Sequence, residues 1–245
     1  MNITIPRSGA RAWVNLILDL LLPRHCVACG QFSGTRNLCP ACGAELPRIL
    51  SACRQCGLSL SLRTDILCAV CLENPPPWDS GIAGLVYRYP VDQMLCRFKF
   101  NRNLACGQIL GAELVAAIVR ADRPLPQAII PVPLHRSRQF SRSFNQAETL
   151  ARQAGRDLKI PVHSGLLSRK RRTGAHSGLD AAARRKNIKG AFYCRPNVIR
   201  HVALVDDVLT TGATLAECTR TLKRAGVEQV SVWIAARALI DQGNR

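Results

Sequence analysis

Four CxxC pairs crowd one short stretch of this chain: Cys26/Cys29, Cys39/Cys42, Cys53/Cys56 and Cys68/Cys71. A CxxC turn can aim both sulfurs at one cation, and two such turns complete a tetrahedral thiolate site. Four turns therefore predict two four-cysteine sites. Joining the first pair to the second and the third to the fourth is the simplest assignment, and an interleaved one fits the spacing as well. Gly30, Gly43 and Gly57 each follow the second Cys of a pair, where a tight knuckle asks for positive φ. The ligand set favours two structural Zn2+ ions, with rubredoxin-like iron as the alternative. About 50 residues bury too little apolar surface to fold unaided, so the metal would hold the module together. Paired thiolates of this kind point to a reducing, cytoplasmic setting.

The cysteine-rich module spans 26–78, and Asn74, Pro75, Pro76 and Pro77 read as the stiff linker that closes it. Residues 1–25 read as an N-terminal helix. The apolar run after Arg11 is interrupted by Asn15 and Asp19, lacks a small-residue cleavage site and is too short for a bilayer. No stable membrane span is expected.

Residues 79–245 form the second domain. Apolar runs at 82–87, 128–132, 201–206 and 230–235 read as strands, and helical patterns fill 91–99, 104–120, 145–156 and 213–225. This alternation predicts an α/β fold with a parallel sheet, in which ligands bind beyond the carboxyl ends of the strands. Asp206 and Asp207 end one such strand. Val208, Leu209, Thr210, Thr211, Gly212, Ala213 and Thr214 then lead into a helix. Successive backbone N–H groups there, with the positive helix end, suit a phosphate. The two carboxylates suit sugar hydroxyls or a Mg2+ shell. The site thus reads as phosphate plus polyol, while GxxxxGK[ST] and GxSxG motifs do not occur.

Charge supports an anionic partner. The chain carries 34 Lys+Arg against 16 Asp+Glu, a formal +18, and most of the cations are arginine. Arginine's planar fork suits phosphate, whether on a small molecule or on nucleic acid. The excess is concentrated at 135–200, which includes the run Arg169, Lys170, Arg171 and Arg172.

The segment from Val205 to Thr214 resembles the phosphoribosyl-pyrophosphate (PRPP) loop of type I phosphoribosyltransferases. With the cysteine-rich head, Arg97-Phe98-Lys99-Phe100, Ile130-Pro131-Val132-Pro133, Phe144-Asn145-Gln146-Ala147 and Arg184-Arg185-Lys186-Asn187, the chain resembles the ComF/GntX family. These are competence-related, phosphoribosyltransferase-like proteins with an N-terminal double zinc ribbon. By that resemblance the fold is a type I phosphoribosyltransferase-like sheet, and Asp206 and Asp207 are the catalytic pair that holds the ribose. The loop from Val208 to Thr214 would bind PRPP together with Arg136, Arg138 and Lys99, with Mg2+ accompanying the ligand. Arg169, Thr173, His176 and Arg184 would belong to the flexible loop that closes over the reacting centre. His176 stands where such proteins often carry Gln, which alters the hydrogen bonding offered to an acceptor.

Two functions of different class follow. One is a phosphoribosyltransferase acting on an unspecified acceptor, in DNA uptake or nucleotide-related metabolism, with PRPP or another phosphorylated sugar as ligand. The other is a non-catalytic single-stranded-DNA-binding or adaptor protein of DNA uptake, its zinc module docking a protein partner. Aromatics flanked by cations, among them Phe98, Phe100, Phe140 and Phe144, keep the second open, although aromatic residues make up only 5% of the chain.

Overall fold

The computed structural model describes residues 24–34, 36–61, 67–134, 144–170, 188–196 and 198–239. The chain divides between Leu46 and Pro47 into two compact units. The helix expected over 1–25 lies outside the described residues except for Arg24 and His25, which form a strand.

In the first unit, β1 (Arg24–His25) pairs antiparallel with β2 (Phe32–Gly34), and α1 (Pro40–Ala44) follows. Pro40 opens α1, where a missing N–H costs nothing, and the Cys39 sulfur accepts the Cys42 N–H at 3.4 Å. Gly30 takes the expected positive φ of 76°, whereas Gly43 lies inside α1 with ordinary helical backbone.

In the second unit a short helix, α2 (Ala69–Glu73), precedes β3 (Ser80–Val86), α3 (Val91–Phe100) and α4 (Leu104–Ala121). Next come β4 (Ala128–Pro131), α5 (Gln146–Leu158), β5 (Leu167–Arg169) and β6 (Phe192–Cys194). The chain closes with β7 (His201–Leu209), α6 (Ala213–Arg224) and β8 (Gln229–Arg237).

Four strands form a parallel sheet in the order β3–β8–β7–β4, and a bridge between Ile129 and Val162 extends it past β4. Its central strands are near-continuous apolar runs because helices and loops cover them: Val202, Ala203, Leu204 and Val205 are fully buried. Helix α4 packs on β3 and β8, α5 on β4 and β7, and α6 on β8 and β6. By length and composition α4 is apolar enough to cross a membrane. Here its Cys106, Leu110, Leu114 and Ile118 are buried at helical spacing in the core. Arg48 makes a two-pronged ion pair with Glu113 of α4, at 2.6 and 2.8 Å, and the 47–49 segment bonds along the outer edge of β3.

Two features depart from the sequence reading. Strand β7 runs through both aspartates to Leu209, because β8 continues beside it as far as Arg237. Residues 167–169 and 192–194, which the sequence reading assigned to no strand, pair as an antiparallel ribbon. Of the cysteines outside the CxxC pairs, Cys106, Cys194 and Cys218 are buried and Cys96 is exposed.

Candidate functional site

The cysteines assemble as two tetrathiolate clusters of sequential pairing: Cys26, Cys29, Cys39 and Cys42 in one, Cys53, Cys56, Cys68 and Cys71 in the other. Within each, all Sγ atoms lie within 4.8 Å of one another. Measured contacts are 3.9 Å for Cys29–Cys39 and 3.7 Å for Cys56–Cys68. A tetrahedron with Zn–S near 2.3 Å has edges of about 3.8 Å, so both clusters fit zinc. The clusters differ in access. Cys29 is exposed and Cys39 and Cys42 are half-buried, whereas all four cysteines of the second cluster are buried.

At the carboxyl end of the sheet, the backbone N–H of Asp207 donates to Asp206 Oδ1 at 2.9 Å. Lys99, in the last turn of α3, reaches across to Asp207, with Nζ 2.8 Å from Oδ2. Burial and then the charge of Asp207 push the Asp206 carboxyl up to about 7, against the pull of that N–H and of Lys99 and Arg169. A carboxyl with a raised pKa, next to a second one paired to a lysine, offers oxygens of the kind that suit a cation or sugar hydroxyls.

Beyond the aspartates the chain turns through Thr210 and Thr211 to Gly212, which caps α6 with φ 76° and ψ 3°. Only glycine adopts that left-handed conformation without strain. Among the described residues no side chain caps α6, so its leading N–H groups face outward in the manner that suits an anion. Arg237, 6% exposed at the end of β8, donates from one terminal nitrogen to the carbonyls of Leu209, Thr210 and Ala238 at 2.8–3.0 Å. It draws the carbonyls to one side, leaving the loop's N–H groups for the other.

Val208, Leu209, Thr210, Thr211, Gly212, Ala213 and Thr214 thus lie together with Asp206, Asp207 and Lys99. Arg169 stands in β5, its guanidinium 5.5 Å from the Phe192 ring, and its charge is felt at Asp206. Arg136, Arg138, Thr173, His176 and Arg184 lie outside the described residues. Asn145 has a clear role: its side chain caps α5 by accepting the Ala147 N–H and donates to the carbonyl of Val132 at the end of β4. Phe98 is fully buried against Phe144, at 5.4 Å between ring centres, so it offers no stacking face. Phe100 is exposed, and Phe140 lies outside the described residues.

Sequence reasoning missed Arg237, Glu217 and Trp78. Glu217 is 5% exposed and accepts the Gly190 N–H at 2.9 Å, fastening the β6 ribbon to α6. Trp78 follows the proline run directly, and a large aromatic at the end of a linker was the available signal that this segment is packed.

The double zinc ribbon domain family matches residues 17–72. Competence protein F of Haemophilus influenzae is 37% identical over 224 residues, which cover 87% of this chain and 97% of that protein. DNA utilization protein YhgH of Escherichia coli O157:H7 is 34% identical over 227 residues, covering 90% of this chain and all of that protein. Among solved structures, adenine phosphoribosyltransferase from Leishmania tarentolae aligns over 62% of this chain and 74% of its own, at 17% identity and a TM-score of 0.37.

Proposed function

Since the chain belongs to the competence protein F (ComF) family, we propose that it binds PRPP with Mg2+ at the carboxyl edge of its sheet and serves the use of external DNA. The observation that carries the reading is the placement of Asp206, Asp207 and Lys99 directly before the Gly212-capped opening of α6. In this reading the 210–214 loop receives the 5′-phosphate, and the aspartates accept hydrogen bonds from the ribose hydroxyls. Asp206 and Asp207 would hold the sugar side of a Mg2+·PRPP complex, and the ion, when bound, would supply countercharge for a departing pyrophosphate. Lys99 balances the charge of Asp207 until ligand hydroxyls or the cation share it. Arg136 and Arg138 would face the pyrophosphate, while Arg169, Thr173, His176 and Arg184 would cover the sugar. The reaction class would be pentosyl transfer to an acceptor. The thiolate clusters favour a reducing, cytoplasmic compartment for this work.

A non-catalytic single-strand-binding role has one observation in its favour. Lys170 Nζ lies 3.8 Å from the centre of the Tyr193 ring, which is 41% exposed. A cation beside an accessible ring suits stacked bases.

Thermal unfolding with PRPP and Mg2+ distinguishes the two. At 100-fold excess over Kd, a specific ligand stabilises by about 2.7 kcal/mol, which raises Tm by roughly 5–10 °C for a chain of this size. Asp207→Asn is expected to abolish that rise while leaving salt-dependent oligonucleotide binding intact. No rise in the wild type, with tight oligonucleotide binding, would transfer the case to the second reading.

A further inference from the structure

We infer that Trp78 is a positioning residue that couples the second four-cysteine zinc site to the 210–214 loop, so that the metal-held knuckle sets the shape in which the loop receives its ligand. The identity of that ligand rests on the PRPP reading, but the coupling is a property of the chain itself.

The path is short and buried. Trp78 is 4% exposed. Its indole Nε1–H donates at 2.6 Å to the carbonyl of Gln55, which sits inside the CxxC turn between Cys53 and Cys56. Gln55 returns the bond: its side-chain Nε2 donates to the carbonyls of Trp78 at 3.2 Å and Pro76 at 3.3 Å. The far edge of the indole lies against Gly212. A methyl group at that position would stand 2.8 Å from Trp78 Cη2. The ring therefore fills the space beside the left-handed residue that opens α6.

The knuckle is itself seated on the sheet. The Gly81 N–H donates to the Arg54 carbonyl at 3.0 Å, and a side chain at Gly81 would come within 2.5 Å of the Gln55 carbonyl oxygen. What keeps Arg54 and Gln55 in this pose is the turn that brings the Cys53 and Cys56 sulfurs to one point with those of Cys68 and Cys71. Zinc would bind the four sulfurs as thiolates and tie this turn to Cys68 and Cys71; without it the cysteines take up protons and that tie is lost. Arg237 restrains the loop where it leaves β7, through the carbonyls of Leu209 and Thr210. Trp78 restrains it where it joins α6. Loss of the second zinc would release that second restraint.

Hydrogen–deuterium exchange on the full-length, zinc-loaded protein tests this without any ligand. The compared forms are wild type, Trp78→Leu, Cys29→Ser as a control that loses only the first site, and wild type stripped of both zinc ions and then reloaded. Trp78→Leu and the stripped protein are expected to exchange at least tenfold faster across 206–216. Peptides covering Ala128–Pro131 and Leu104–Ala121 should keep wild-type rates. Reloading zinc should restore the loop, and Cys29→Ser should leave it unchanged. Wild-type loop exchange in both Trp78→Leu and the stripped protein would overturn the coupling, as would loosening that is equal everywhere. If Trp78→Leu does not fold, the strip-and-reload comparison decides alone. A separate titration of the wild type with PRPP and Mg2+ reads the ligand assignment: its failure would remove PRPP and leave the exchange result to judge the coupling.

Discussion

Lys99 Nζ lies 2.8 Å from Asp207 Oδ2, joining the last turn of α3 to the carboxyl end of β7. The two residues are far apart in sequence and both largely shielded, at 21% and 13% side-chain exposure. This pair lets two adjacent carboxyls share one strand end. Asp207 pairs with the lysine, and after burial its charge is the next cause that pushes the Asp206 carboxyl up.

Removing the lysine should therefore act on Asp206 as well as on Asp207. Lys99→Met deletes a charge that holds the Asp206 pKa down, so the pH midpoint of PRPP·Mg2+ binding should move upward from near 7. Stability should fall by about 2 kcal/mol, less than the ~3–5 kcal/mol for breaking a fully buried pair. Binding isotherms at several pH values and a urea titration check both parts.

The pH dependence of stability has a definite sign. Asp206 titrates near 7 in the folded protein, above its ordinary value of 3.8. Its contribution is thus fully present below the ordinary carboxylate range and is lost as pH rises through 7. Asp206→Asn, which stays neutral, should raise Tm most at pH 8, less at pH 5, and little below pH 4, where both states are protonated, and lose ligand binding throughout. A variant no more stable than wild type at pH 8 would contradict the assigned burial cost.

Gly212→Ala tests the loop from the other side. The left-handed backbone costs a residue with a Cβ about 1–2 kcal/mol, and the new methyl meets Trp78 at 2.8 Å. Denaturant midpoints should show a loss of about 2–3 kcal/mol. The zinc content should remain at two equivalents, since neither thiolate cluster contains the substituted residue.

The two zinc sites should part company under a chelator. The first includes an exposed cysteine and two half-buried ones, and the second is wholly buried. Zinc release followed with a colorimetric indicator should be biphasic, and Cys29→Ser should abolish the fast phase alone. A single phase of two equivalents would contradict the difference in access.

What was readable in the sequence was whatever is encoded locally. CxxC spacing carried the metal sites, period and composition carried the sheet, and Asp206 to Thr214 announced itself because strand, acidic pair and helix start are contiguous. Sequential pairing of the cysteines was one of two arrangements the spacing allowed, and only the fold chose. The partners that complete the site come from elsewhere: Lys99 from α3, Arg237 from the last strand and Trp78 from behind the proline run. Lys99 entered the site reading only through the family resemblance of Arg97-Phe98-Lys99-Phe100, and no local pattern marks an arginine as the one that gathers three carbonyls. The β5–β6 ribbon was hidden for a different reason, since each of its strands is only three residues long, too short for a period to show.

Isothermal titration of the zinc-loaded wild type with PRPP, at pH 8 and with millimolar Mg2+, tests the central claim most directly. The account predicts saturable binding at one site per chain, weakened about tenfold for each pH unit below 7 as Asp206 takes up its proton. Absence of heat at millimolar PRPP, from protein that retains two zinc ions and its cooperative unfolding, would contradict it.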